Sequence, residues 1–416
     1  MYLGWIEDHF INSQFQFKYY GFEWVSLLPP FWMYIIYVVM LLASIGVTIG
    51  LFYRISSILL FLTFTYTELI DLTYYLNHYY FVSLICLLLI FIPSHKYLSV
   101  DTKIWPKIAS TRTLAWHINI LKFQIFVVYF FAGIAKINAD WLLNALPMKI
   151  WLPAHDAVPF LGAIFSQTWA PYLFSWVGML YDTFIVFFLL FTFTRSLAYV
   201  LVIIFHLTVG VLFQIGVFPL VMIGVTLLFF SNEWHQKNIQ RIKRWVTTNN
   251  YPAYINSKFA TRCRNVHYIS QILITLFVFF QLIFPLRYLL YPGNLFWTEE
   301  GYRFSWRVML MEKAGTALFY VKNPETGREG VVDNLEFLNA HQEKQMSFQP
   351  DMILQFAHFL GKKYKLEGQE IPEVRVEAWV TLNARPSHLI IHPKINLSKV
   401  QDSWKSKSWI LHSNNY

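Results

Sequence analysis

The chain has 416 residues, of which 56% are apolar, 19% aromatic and only 14% charged, with a mean hydropathy of +0.41. An ordinary soluble domain carries about 25% charged residues, so this composition excludes a typical water-soluble globule, and its apolar content excludes a disordered chain. The net charge of +9 does not indicate a nucleic-acid binder, because the basic residues gather in loops between apolar runs, as membrane topology requires.

Residues 1–30 mix Glu7, Asp8, Lys18 and Glu23 with aromatics. That pattern does not suit a cleavable signal peptide and predicts an interfacial amino-terminal segment. A helix needs roughly 20 mostly apolar residues to cross a membrane. About eight runs qualify, at 31–53, 55–71, 79–95, 117–136, 170–192, 196–214, 216–231 and 267–290. They predict an α-helical integral membrane bundle over 31–290. The second and third runs are short and contain polar residues, so protein is expected to shield part of them from lipid.

Charge orients the bundle. The stretch 96–122 holds Lys96, Lys103, Lys107, Arg112 and Lys122 against Asp101 alone, and 235–266 holds seven basic residues and no acid. Both are expected on the cytoplasmic side. The loop 137–169, with Lys149 against Asp140 and Asp156, is expected on the other side, as is everything from about 291. Eight spans then leave residues 1–30 outside without a basic anchor, which implies an interfacial segment or a missing upstream helix. Cys86 lies in an apolar run and Cys263 in a basic loop, so both are expected to be reduced.

From 291 the pattern changes. Residues 303–312, 316–322 and 328–333 alternate as strands do, and Pro324–Gly327 reads as a hairpin turn. Residues 350–364 have helical spacing with Asp351 near the start. VRVEAWVTL and HLIIHP are two further strand-like runs. This predicts a small extracytoplasmic α+β domain over 291–416.

Ionisable groups inside spans are costly and mark function. Lys136 ends the fourth span in YFFAGIAKINADW. Ala132, Gly133 and Ala135 let a neighbouring helix come close. There a desolvated amine could serve as a neutral base; the alternative is a lysine snorkelling to water. Glu68, Asp71, Asn77 and His78 cluster where the second and third spans meet, either to bind a polar substrate or as a solvated hairpin. His206 and Gln214 lie in IIFHLTVGVLFQIGVFP, where a lone histidine suits a hydrogen-bonded core position and no second histidine supports a metal pair. Asp182, inside the fifth span, is expected to pair with a basic group. The aromatics line a pocket for a flat, lipid-soluble ring or form an interfacial belt.

Several stretches together resemble the vitamin K-dependent gamma-carboxylases, above all their shorter bacterial relatives. They are MYIIYVVMLLASIGVTIGLFYRIS, LIDLTYYLNHYYF, FQIFVVYFFAGIAKINADW, FHLTVGVLFQIGVFP, FFSNEWHQ, WTEEGYRFSWRVMLMEK and VEAWVTLNAR. The resemblance implies that Lys136 is the base that deprotonates the reduced vitamin K hydroquinone, whether phylloquinone or menaquinone. Oxidation of its anion by O2 then generates an alkoxide strong enough to remove a γ-proton from a protein glutamate, which takes up CO2. It implies a role for His78 in carboxylation and places Asn77, Asp71, His206, Gln214, Asn294 and Trp297 around the substrates. Asn294, in YPGNLFWT, stands where the animal enzymes carry a tyrosine. Membrane lipid, quinol and a glutamate-containing protein or peptide are the implied partners, with no nucleic acid, and a bacterial cytoplasmic membrane is the implied location. Epoxidation without carboxylation, or a non-catalytic membrane binding protein, are the alternative readings.

Overall fold

The computed structural model describes residues 4–159, 161–213, 215–246, 268–366 and 370–412. Its amino-terminal two thirds is a helical bundle: α1 (Pro30–Ile49), α2 (Tyr53–Leu69), α3 (Asn77–Phe91), α4 (Ala115–Ala135), α5 (Ala170–Leu190), α6 (Arg195–Leu212), α7 (Phe218–Thr226), α8 (Asn232–Val246) and α9 (Tyr268–Ile283). Among the described residues, five helices are long and apolar enough to cross a membrane: α1, α4, α5, α6 and Ser270–Leu290, which runs from α9 into a 3-10 turn. The expected eight are not reached, because three of the runs fold as shorter helices: α2, α3 and α7 have 17, 15 and 9 residues. Local signals shorten them. Pro93 stops the third run, and Pro219 starts α7 late.

The turn between α1 and α2 shows how a charge can be spent on structure. Asp101 is buried, and its carboxylate accepts from the Phe52 and Tyr53 amides at 2.7 and 3.0 Å. It thereby satisfies orphan donors at the start of α2. Cys86 is a buried free thiol, whereas Cys263 lies outside the described residues.

The carboxyl-terminal part carries α10 (Leu295–Thr298), α11 (Ala340–Met346) and α12 (Pro350–Lys363) around a four-stranded sheet. Strands β1 (Lys313–Lys322), β2 (Glu329–Val331), β3 (Glu373–Leu382) and β4 (His388–Leu389) lie in the order β2-β1-β3-β4, all antiparallel. The β1–β3 register runs from Lys313↔Leu382 to Lys322↔Glu373. On β3 the residues Val374, Val376, Ala378, Val380 and Leu382 alternate into a core closed by Met352, Phe356 and Leu360 of α12, as the period of a strand requires. The hairpin turn is capped by Asn323 Oδ1, which accepts from the Glu325 and Thr326 amides.

Residues 303–312, expected as a strand, are irregular. Phe304, Trp306 and Met309 take left-handed backbone conformations (φ 57°, 58° and 50°), at a cost on the order of 1–3 kcal/mol each. The apolar alternation in this segment reflects insertion into the bundle. Trp306 is fully buried in the bundle core with Phe81, Ile125 and Tyr129 and stacks on Tyr80. Leu310 enters a second cluster with Ala135 and Trp141. Burying these side chains offsets the strain.

The two parts are stitched along this seam. Asn383 and Arg385 donate to Asp140, and Trp151 Nε1 donates to Glu312 at 2.6 Å. In the amino-terminal segment the Lys18 amide and carbonyl pair with the side chain of Gln355 at 2.8 and 2.9 Å, and Phe17 and Tyr19 join the core of the carboxyl-terminal part.

Candidate active site

Helices α4 and α5 cross so closely at Gly133 that a Cβ there would stand 2.3 Å from Thr183 Oγ1. That approach, expected from the small residues around Gly133, sets Lys136 against Asp182. Lys136 Nζ donates to Asp182 Oδ2 at 2.8 Å and to the Ala132 carbonyl at 3.3 Å. Its Nζ also lies 5.3 Å from the centre of the Trp141 ring. That ring is held in turn: Trp141 Nε1 donates to the Ser175 carbonyl, and Asn138 accepts from the Trp141 amide. Lys136 is 6% exposed, so it does not snorkel to water. It is not solitary either, because the expected partner of Asp182 is this lysine.

A polar and aromatic layer adjoins the pair. Tyr181, next to Asp182 in the chain, has its hydroxyl 3.5 Å from that of Tyr129. The Tyr129 hydroxyl lies 2.7 Å from His206 Nε2. His206 packs edge-on against Phe218, and His78 stacks on the same ring with centroids 5.1 Å apart. The two histidines expected near the substrates therefore share one phenyl ring as a spacer. His206 Nδ1 and Ser175 Oγ are buried without a hydrogen-bond partner. Buried polar atoms without a partner are uncommon.

Asn77, beside His78, accepts from the Tyr75 hydroxyl and donates to the Arg307 carbonyl at 2.8 Å, fastening the inserted loop. The other candidates lie as follows. Asp71 accepts from the Thr73 amide and hydroxyl and from Gln342, at the seam. Asn294 caps α10 by accepting from the Phe296 amide. Trp297 is buried in the carboxyl-terminal core and donates to the Leu411 carbonyl. Gln214 lies outside the described residues. Glu68 is bonded by Ser83 Oγ, with its other oxygen unpartnered. Grooves of about 830 and 810 Å3 lie elsewhere, beside α12 and beside the basic stretch 96–112, and neither is lined by Lys136, His78 or His206.

Tyr129, Tyr181, Phe218 and Arg307 escaped the sequence reading. Tyr129 carried a usable signal: it is seven residues before Lys136, hence on the same helical face two turns away. Phe218 and Arg307 carried none, since both act through contacts remote in sequence.

No solved structure matches the chain. Two family models do. The HTTM domain matches residues 1–234, and the vitamin K-dependent gamma-carboxylase lumenal domain matches residues 266–416. The lumenal match places the carboxyl-terminal part on the non-cytoplasmic side, as the charge pattern requires. With both domains in order over nearly its whole length, the chain belongs to the vitamin K-dependent gamma-carboxylase family.

Proposed function

We propose that this protein is an integral-membrane carboxylase that couples oxidation of a vitamin K hydroquinone, phylloquinone or menaquinone, by O2 to addition of CO2 to glutamate side chains of a protein or peptide. It works at the non-cytoplasmic face of a bacterial cytoplasmic membrane, with α2, α3 and α7 completing the bundle as short, protein-shielded spans. The boundaries 1–30, 31–290 and 291–416 then correspond to an interfacial segment, the membrane domain and the outer domain. The observation that carries this reading is the buried Lys136–Asp182 pair beside the layer that holds His206, Phe218 and His78.

Charge conservation defines what the pair can do. As an ion pair it is neutral overall, and the lysine has no lone pair to offer. The proton-accepting capacity sits on the Asp182 carboxylate. Lys136 becomes a base when its own proton shifts to Asp182, and it can then take one from a guest hydroxyl. The loaded pair carries one positive charge, which stabilises the anion left opposite it. Vitamin K hydroquinone, when bound, supplies a weakly acidic hydroxyl and the reducing power released on its oxidation. The Trp141 ring and the Gly133 crossing keep water from the pair. His206 Nδ1 and Ser175 Oγ offer unmatched hydrogen-bonding atoms, and Phe218 and Tyr181 offer flat faces to a hydroxylated ring. His78, fixed by Phe218 and next to Asn77, is placed to exchange a proton on the substrate side.

The test incubates purified protein with reduced vitamin K, a glutamyl peptide and labelled bicarbonate. Epoxide with label in the peptide is expected. Epoxide without label would favour a quinol oxidoreductase without carboxylation, and neither product would favour a non-catalytic binding protein. Lys136→Ala should abolish the epoxide, and activity equal to wild type would remove the base.

A further inference from the structure

Arg287, Arg303, Arg307 and Lys313 lie where the end of the last span meets the inserted loop: Arg287 and Lys313 interact electrostatically with Arg303, and Arg307 with Tyr288 and Tyr302. Two have counter-charges, since Arg303 pairs with Asp351 and Lys313 with Glu299. Among the described residues, no carboxylate lies within ion-pair distance of Arg287 or Arg307. Arg307 is only 7% exposed, and its Nε is buried with no hydrogen-bond partner. Its guanidinium lies 4.2 Å from the centre of the Tyr288 ring. Arg287 donates to the Phe284 and Arg303 carbonyls and covers the Phe284 ring. Rings and carbonyls supply dipoles, not charge. Burying a guanidinium without an anion is costly, and an incoming anion relieves that cost.

The place of Arg307 in the chain says which anion. Its carbonyl is held by Asn77, the neighbour of His78. The preceding Trp306 sits in the bundle core. Three residues further on, Leu310 packs with Ala135 and Trp141, which flank Lys136. The loop therefore runs from the His78 side of the site to its Lys136 side, with Arg307 between. We infer that Arg307 receives the carboxylate of the glutamyl substrate. The inference rests on the proposed carboxylase reading and names the group that recognises its acidic substrate. The planar fork of a guanidinium matches a carboxylate in two-point contact. A lipid phosphate would suit the rim, where Leu289 and Leu290 are 69% and 81% exposed, better than a guanidinium buried beneath it.

The experiment measures binding, so that it does not depend on turnover. Full-length protein in zwitterionic nanodiscs is titrated with a fluorescent glutamyl peptide and with its glutaminyl counterpart. Wild type should favour the glutamyl peptide by about 10- to 100-fold, the range for a charge-assisted hydrogen bond. Arg307→Gln should erase that preference, and Arg307→Lys should keep part of it. If Arg307→Gln fails to fold, the Arg307→Lys variant carries the reading and should reduce the preference. Equal binding of the two peptides by wild type, including no binding of either, overturns the proposal. So does a preference that survives in the folded Gln variant. A third arm adds anionic lipid to the nanodiscs: if Arg307→Gln changes only the retention of that lipid, the anion is a headgroup phosphate and the proposal fails. Epoxide formation is scored separately, so a carboxylase reading that fails still leaves the peptide preference measurable.

Discussion

Among the described residues, the membrane bundle and the outer domain each bury one lysine–carboxylate pair, and both pairs have an N···O distance of 2.8 Å. Their surroundings differ. Lys313 also donates to the Trp297 carbonyl at 2.8 Å, and the rings of Trp297 and Phe348 flank it at 6.0 and 5.9 Å. It ties the start of β1 to α10. The second bond of Lys136 is a longer one of 3.3 Å within its own helix, and unmatched polar atoms of Ser175 and His206 lie in the same bundle. Both ammonium groups make two hydrogen bonds, but those of Lys313 are both short and reach other elements, while one of those made by Lys136 is long and stays within its own helix. Distance and burial alone would not separate these roles; the satisfaction of the surrounding polar atoms does.

The sharpest way to break this comparison is to remove each lysine. Lys136→Ala should abolish measurable epoxide formation, a loss of at least about 10²-fold, the lower end of the usual contribution of a positioned base, while the protein still elutes as a folded species in size-exclusion chromatography. Lys313→Ala should act the other way. It strands Glu299 in the core and should destabilise the outer domain by about 3–5 kcal/mol, read as a lower thermal unfolding midpoint. If the two variants exchange these phenotypes, the assignment of roles is reversed.

Acid offers a second handle, on the seam. Burial by itself would raise the Asp351 carboxyl, but Arg303 holds it down at about 2. Asp140, likewise burdened by burial, is held below the usual carboxylate range by Arg385 and Asn383. Because both folded-state values are depressed, the stability they add is complete above the unfolded value of about 3.9 and is lost as pH falls through the folded one. Limited proteolysis of the outer domain should be unchanged from pH 7 to 5 and accelerate between about pH 4 and 2. Loss of protection already at pH 5–6 would point to other groups. The smallest effect is steric: Gly133→Ala should cost about 1–3 kcal/mol by overpacking and lower activity partially by moving Lys136 away from Asp182.

Much of this was legible in the sequence, for identifiable reasons. The spans α1, α4, α5 and α6 announce themselves by length and apolarity. Lys136, Asp182 and the small Gly133 show up because a charge or a gap is conspicuous in an apolar run. The β1–β2 hairpin shows in Pro324–Gly327. Residues 303–312 misled, because alternating apolar residues look the same whether they line a sheet or plug a bundle. Asn294 and Asp71 are polar residues near chemistry, yet the ends of α10 and of the turn at Leu72 consume their hydrogen bonds locally. No linear pattern distinguishes a cap from a ligand contact when both need the same side chain. The partnership of His78 with His206 across Phe218 joins residues more than a hundred positions apart, beyond the reach of any periodicity.

Trp306 has a consequence for how the protein is made. The indole that completes the bundle core is encoded after the last span, so a ribosome must synthesise and export this stretch before the helices can close around it. Until then the half-built bundle lacks one of its innermost rings. A chain stopped at residue 300 should insert into the membrane yet remain sensitive to protease within its helices.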